Sequence, residues 1–283
     1  MSGFWFSILR AFAALLAAAA FGSAHAETPL ERGRYLTQTI VACGNCHTPQ
    51  GPNGPLAGKT LAGGLQIDHP PAFTAYGANI TPDKATGIGS WTDAQIVTAI
   101  REGKRPDGSL IGAPMPIELY RGLSDRDVRA IVAYLRTVAP VENKPPKSVY
   151  QVQLPASYGP PVGKVPDVPR KDLVAYGRYL AGPAGHCIEC HSTPGADGRP
   201  DLEKRLGAGG MSFNGPWGVS VAPPITPANL QRYSDAQLKT IITTGVRPDG
   251  SRLKPPMAVP YYAGMSAADL NALVAYLRAL PRQ

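Results

Sequence analysis

The sequence predicts an all-α fold of two tandem domains joined by a Pro-rich linker, and three observations carry that prediction. The first is internal repetition. Gly33-Arg34-Tyr35-Leu36 recurs as Gly177-Arg178-Tyr179-Leu180, a shift of 144. Arg105-Pro106-Asp107-Gly108-Ser109 recurs as Arg247-Pro248-Asp249-Gly250-Ser251, and Ala133-Tyr134-Leu135-Arg136 as Ala275-Tyr276-Leu277-Arg278, both shifted by 142. The second is helical patterning inside each repeat. The third is a run of prolines between them, Pro140, Pro145, Pro146, Pro155, Pro160, Pro161, Pro166 and Pro169, in a stretch without helical period. The expected boundaries are 1–26, 27–139, 140–169 and 170–283.

Residues 1–26 read as a secretory signal. Arg10 precedes the apolar run Ala11 to Phe21, and Ala24-His25-Ala26 offers a small-x-small cleavage site. The alternative is an uncleaved anchor holding the chain on the periplasmic face of the inner membrane. In the first repeat, Thr92-Asp93-Ala94-Gln95 fits a capping box, with hydroxyl and glutamine satisfying amides that a helix start leaves unpaired. Ser124 then precedes Val128, Ile131, Val132, Leu135 and Val138 at helical spacing, a core-facing final helix. The segment 140–169 is expected to be extended and semi-rigid, either a bare spacer or a piece that packs along both domains and fixes their separation. The second repeat repeats the signals: a capping box at Ser234 to Gln237, and Ser266 before Leu270, Leu273, Val274, Leu277 and Leu280. Pro-Asp-Gly in each repeat is a turn.

All four cysteines fall in two C-x-x-C-H pentapeptides, Cys43-Gly44-Asn45-Cys46-His47 and Cys187-Ile188-Glu189-Cys190-His191. Thiols three positions apart lie one helical turn from each other, so both reach the vinyl groups of one haem, and the adjacent histidine meets the iron. Two covalently bound haem c groups are the expected cofactors. A structural zinc needs no histidine after each second cysteine. A dithiol redox centre usually sits beside a βαβ pattern, which is missing here. A disulfide of such short span makes a poor staple for an exported domain. Haem attachment and export support one another.

The opposite face of each iron needs a ligand, and methionine is the candidate. Met115 and Met257 are matched by the shift of 142, each follows a proline, and they sit 68 and 66 residues after His47 and His191. Both are taken as axial ligands. Met1 is the initiator. Met265 aligns with Leu123 and Met211 with Leu65, so both read as space-filling core residues. His69 and His186 have no counterpart in the other repeat and read as surface or hydrogen-bonded residues; His25 lies in the signal segment. Arg105 and Arg247 are candidates either for propionate pairing or for solvent exposure, and Trp91 and Tyr233 for packing.

With these residues the chain resembles tandem class I cytochromes c, and more narrowly the haem subunits of periplasmic membrane-associated dehydrogenases. Asn79-Ile80-Thr81-Pro82-Asp83, Gly87-Ile88-Gly89-Ser90-Trp91-Thr92-Asp93 and the Leu-Ser-Asp-x-Asp of 123–127 carry the narrower likeness, with Ile225-Thr226-Pro227 surviving in the second repeat. The resemblance implies haem binding through Cys43, Cys46, His47 and Met115, then Cys187, Cys190, His191 and Met257. Such subunits typically carry three haem motifs, whereas this sequence carries two.

The function expected is single-electron transfer through two His/Met haems, from a periplasmic dehydrogenase to an oxidase or another cytochrome, with no acid–base residue and with peripheral membrane association through the partner. The rival is a dihaem enzyme of peroxidase or thiosulfate-oxidising type with one catalytic haem. Near-equivalent repeats with a methionine in each argue against it, and there is no fifth cysteine for a thiolate ligand. The formal charge of +8 either steers an acidic partner or serves solubility. No basic run with interleaved aromatics points to nucleic acid.

Overall fold

The computed structural model describes residues 26–281, so the expected signal segment lies outside the described residues except for Ala26. No helix among the described residues is long and apolar enough to cross a membrane. The first repeat runs α1 (Pro29–Gln38), α2 (Gly44–His47), a small hairpin of β1 (Gln50–Gly51) and β2 (Gly54–Pro55), a longer one of β3 (Gln66–His69) and β4 (Phe73–Tyr76), then α3 (Asp93–Glu102), α4 (Ile117–Tyr120) and α5 (Asp125–Leu135). After β5 (Val149–Tyr150), the second repeat runs α6 (Leu173–Tyr179), a π turn over Leu180–Ala184, α7 (Cys187–Cys190), a hairpin of β6 (Ser212–Gly215) and β7 (Gly218–Val221), then α8 (Pro227–Leu230), α9 (Asp235–Thr244), α10 (Val259–Tyr262) and α11 (Ala267–Ala279).

The expected helix starts are in place. Thr92 and Ser234 head capping boxes with Gln95 and Gln237, and Ser124 and Ser266 accept the amides of Asp127 and Asp269. Thr28 and Glu31 form a further capping box, at α1. The all-α expectation holds for the core and is corrected at the edges, where both repeats carry antiparallel hairpins. Pro70 and Pro71 sit at one hairpin turn and Pro216 at the other, where an interior proline removes a helix hydrogen bond.

In each repeat the first helix crosses the last one at a glycine. A Cβ on Gly33 would stand 1.8 Å from the Ala130 carbonyl oxygen, and one on Gly177 would stand 1.9 Å from that of Ala272. Backbones this close leave room for hydrogen alone, which explains the recurrence of glycine in Gly-Arg-Tyr-Leu. Leu36, Ile131 and Val132 fill the first crossing, and Leu180, Leu273 and Val274 the second, all within one cluster of buried side chains.

The proline-rich stretch is no bare spacer: most of its contacts lie along the first repeat, and Asp167, Val168 and Pro169 border Tyr176 and Tyr179 of the second. β5 pairs with β4, Asn143 Nδ2 donates to the Ala62 carbonyl at 2.8 Å, and the Tyr150 and Tyr158 hydroxyls donate to the carbonyls of Ala113 (2.9 Å) and Ile111 (2.8 Å). Val162 N–H donates to Glu102 Oε1 at 2.9 Å, and Asp125 N–H to the Val165 carbonyl at 2.9 Å. The prolines remove competing donors, while tyrosine and asparagine side chains tie the strap down.

The repeats meet through a reciprocal contact. Tyr179 of the second repeat donates to Asp127 Oδ2 of the first at 2.7 Å and accepts the Ser124 amide at 3.3 Å. Tyr35 of the first donates to Asp269 Oδ2 of the second at 2.8 Å and accepts the Ser266 amide at 3.0 Å. Each tyrosine thus reaches the start of the other repeat's final helix, the pattern of a twofold, self-complementary interface. One element breaks the symmetry: Arg32 grips Asp127 with two 2.8 Å bonds, and the position matching Arg32 is Tyr176.

Candidate haem centres

Both C-x-x-C-H motifs wind into a single helical turn. His47 N–H donates to the Cys43 carbonyl at 2.9 Å and His191 N–H to the Cys187 carbonyl at 3.0 Å, which sets the paired thiols one turn apart. The residue before each motif, Ala42 or His186, is left-handed, with φ of 50° and 41°. Neither is glycine, so the same uncommon backbone is held at equivalent places, and such residues cluster at functional sites.

The histidines are set alike. His47 Nδ1 lies 2.7 Å from the Ala78 carbonyl and His191 Nδ1 2.7 Å from the Pro223 carbonyl. A carbonyl can only accept, so Nδ1 carries the proton and Nε2 keeps a free lone pair. Burial pulls both imidazoles below the usual histidine range, against the raising effect of those carbonyls, which favours the neutral ligand form.

The thiols are partly buried and carry no disulfide. Burial pushes Cys43 up to about 12 and Cys46 and Cys187 up to about 11, and raises Cys190 as well. Thiols held protonated in this way are poor thiolate nucleophiles, which weighs against the dithiol reading. Among the described residues no group of three or more His, Cys, Asp or Glu is set to hold a metal ion.

Cys187, His191 and Met257 line one apolar pocket, walled by Ile225, Ile242, Leu273 and Leu277 and by Ile40 from the first repeat. A thiol, an imidazole and a thioether facing an apolar space match the donor set and the apolar body of a c-type haem, so the residues fit the group. In the first repeat Met115 and Cys43 pack against the shared apolar cluster. The methionine turns are alike: Ile117 N–H donates to the Met115 carbonyl at 2.8 Å and Val259 N–H to the Met257 carbonyl at 2.9 Å. Met265, read as core, is buried at 7% and lines the same cavity as Met257, while its counterpart Leu123 is fully buried.

The other sequence candidates have protein partners of their own. Arg105 braces its own turn through Ser109 Oγ (3.3 Å) and the Leu110 carbonyl (2.6 Å), and Arg247 does so through Ser251 Oγ (3.1 Å). Trp91 and Tyr233 pack against the cluster, and their carbonyls accept from Arg136 and Arg278. His69 stacks on Phe73 at the hairpin. His186 pairs with Glu189 at 3.4 Å and meets Tyr120 edge-on at 6.0 Å between centroids.

Sequence reasoning missed the groups between the two attachment turns. Tyr261 reaches across from α10 so closely that a Cβ on Gly44 would stand 2.6 Å from its hydroxyl. The Glu189 carboxylate adds to the effect of burial in raising both Cys46 and Cys190, so one charge acts on both attachment sites. Its counterpart is Asn45, and that break in the repeat was the available signal.

Comparison with known proteins agrees with this geometry. The family model of cytochrome c oxidase, cbb3-type, subunit III matches residues 28–135, and that of cytochrome c matches residues 174–281. The cytochrome c subunit of a quinone alcohol dehydrogenase from Gluconobacter oxydans is 34% identical over 94% of this chain and 58% of its own length. The cytochrome subunit of fructose dehydrogenase from Gluconobacter japonicus is 34% identical over 92% and 54%. The chain therefore spans somewhat over half the length of these relatives. A dihaem c-type cytochrome of Cereibacter sphaeroides is 30% identical over 84% of this chain and 82% of its own length. Two tandem cytochrome c domains imply two covalently attached haem c groups, and the chain belongs to the dihaem c-type cytochromes.

Proposed function

We propose that the protein passes single electrons from a dehydrogenase to a respiratory acceptor, an oxidase or another cytochrome, through two haems each held between a histidine and a methionine. The observation that carries this reading is the equivalence of the pairs His47/Met115 and His191/Met257, in position, in backbone turn and in histidine hydrogen bonding. Haem c supplies the iron that gains and loses the electron. Cys43, Cys46, Cys187 and Cys190 anchor it, and the carbonyls of Ala78 and Pro223 keep Nε2 of each histidine unprotonated and aimed. Met115 and Met257 would complete the coordination of the iron, and a thioether ligand there would raise the potential and limit rearrangement on reduction. Apolar walls exclude water from that step.

The periplasm is the proposed compartment, entered by a signal segment over residues 1–26. Domains over 27–139 and 170–283 each hold one haem, with 140–169 as the connecting strap. The cytochrome subunits of dehydrogenases among the relatives support a dehydrogenase as donor. Co-purification from native membranes in mild detergent tests the reading: a dehydrogenase should be recovered in stoichiometric amount, and its substrate should reduce both haems. Recovery of the chain without such an enzyme contradicts the donor assignment, and turnover of peroxide by the chain alone contradicts the carrier role.

A further inference from the structure

The two longer hairpins are equivalent, and their outer edges are not. β7 follows β4 by 145 residues, the offset that also relates Ala78 to Pro223, the two carbonyls that hold the histidines. In the first repeat β5 covers the outer edge of β4: Thr74 lies opposite Val149, Phe73 opposite Tyr150, and Gln151 N–H donates to the Ala72 carbonyl at 2.9 Å. In the second repeat β7 pairs with β6 alone among the described residues. Val219 and Val221 share one face of it and stand 57% and 58% exposed, while Trp217, in the turn before the strand, lies over Gly215 on the other face and donates from Nε1 to Ser220 Oγ at 3.3 Å. The counterparts of the two valines, Thr74 and Tyr76, are half-buried.

The residue beside each edge says what covers it. In the first repeat this is Gly112, where a Cβ would stand 2.6 Å from the Tyr150 ring, so glycine makes room for an aromatic strap. The matching residue in the second repeat is Lys254, whose Nζ lies 3.4 Å from the Val219 carbonyl. Among the described residues no strand pairs there; that lysine donates to one edge carbonyl and offers a cation beside the edge, in a chain of net charge +8. The edge also lies next to both ligand loops of the second haem. β7 runs on to Pro223, whose carbonyl holds His191, and Ser220 Oγ donates to the Pro255 carbonyl at 2.6 Å, two residues before Met257.

From this contrast we infer that the outer edge of β7 is the docking site of the dehydrogenase, which adds an extended segment with apolar residues facing Val219 and Val221 and a carboxylate facing Lys254. Backbone pairing along the strand gives affinity, and the alternate side chains and the lysine give selectivity. The second haem then becomes the port for electron entry, because Tyr150 and Tyr158 of the strap close the corresponding side of the first. The inference rests on a dehydrogenase being the donor.

Hydrogen exchange on the complete holoprotein, alone and with the co-purified dehydrogenase, tests it. Slower exchange at 217–221 in the complex is the expected result. The variant Val219→Lys/Val221→Lys should bind that enzyme on the order of tenfold more weakly, since one covered valine side chain is worth that much. Val149→Lys, on the strap, should bind as the parent does, and the visible spectrum of each variant reports that its haems are in place. If the dehydrogenase binds and reduces the haems while 217–221 exchange unchanged, the docking site is wrong and the donor reading stands. If no dehydrogenase binds, the donor reading falls and takes the site with it. Protection of 217–221 that grows with the concentration of the cytochrome alone assigns the edge to a second copy and overturns the inference.

Discussion

The Tyr179 hydroxyl donates to Asp127 Oδ2 at 2.7 Å across the boundary between the repeats, and the mirrored bond, from Tyr35 to Asp269 Oδ2, is 2.8 Å. The two contacts look equal and are not. Asp127 also holds Arg32, whereas the buried Asp269 carboxylate, 2% exposed, relies on Tyr35.

Tyr35→Phe is therefore expected to destabilise the protein more than Tyr179→Phe. Leaving a buried carboxylate without its donor costs about 1–3 kcal/mol or more, against about 1 kcal/mol where an arginine remains. Denaturant titration of both variants checks the order; equal midpoints contradict it.

Acid should loosen the same boundary. Burial pushes the Asp127 carboxyl up, but the Arg32 guanidinium and the Tyr179 hydroxyl outweigh it and hold the group below the ordinary carboxylate range. A depressed carboxyl adds stability above its unfolded pKa of about 3.9 and loses that contribution as pH falls through the folded value. Asp127→Asn should flatten the fall of stability below about pH 4 and lower stability at neutral pH. Melting temperatures across pH read both effects.

Removing Glu189 should move both haems. Its negative charge acts on the attachment sites of both repeats and stabilises the oxidised iron, so Glu189→Gln is expected to raise both midpoint potentials. A redox titration in which only one haem shifts shows that the carboxylate serves a single centre.

The methionines separate by position. Met257→Ala should open one iron and lower one potential, Met115→Ala the other, and Met265→Leu should leave methionine coordination unchanged although Met265 shares the cavity. Visible spectra of the three variants decide between Met257 and Met265.

Legibility followed the range of the chemistry. The haem attachment turns could be read because covalent spacing and one helical turn are local, and the helix caps because Thr92 and Gln95, or Ser234 and Gln237, are three residues apart. Repeat alignment extended that reach to the matching turns at Met115 and Met257. The ties of Tyr35 to Asp269 and Tyr179 to Asp127 span 234 and 52 residues, and no local pattern announces them. Gly33 and Tyr35 were visible as a recurring motif, but only the helix crossing and the reciprocal contact explain why those types recur. The sequence left the strap open between bare spacer and two-sided packing because prolines dominate its composition, whereas its anchoring on the first repeat falls to Asn143, Tyr150 and Tyr158, and Val168 meets residues of both repeats. The hairpins escaped because strands of four residues beside helices leave too short an alternation to register.

Counting axial ligands in the oxidised holoprotein by electron paramagnetic resonance, with the methionine-to-iron absorption recorded on the same sample, addresses the central claim most directly. Two low-spin irons, each with a methionine, are predicted. A high-spin, five-coordinate iron in either repeat contradicts the account.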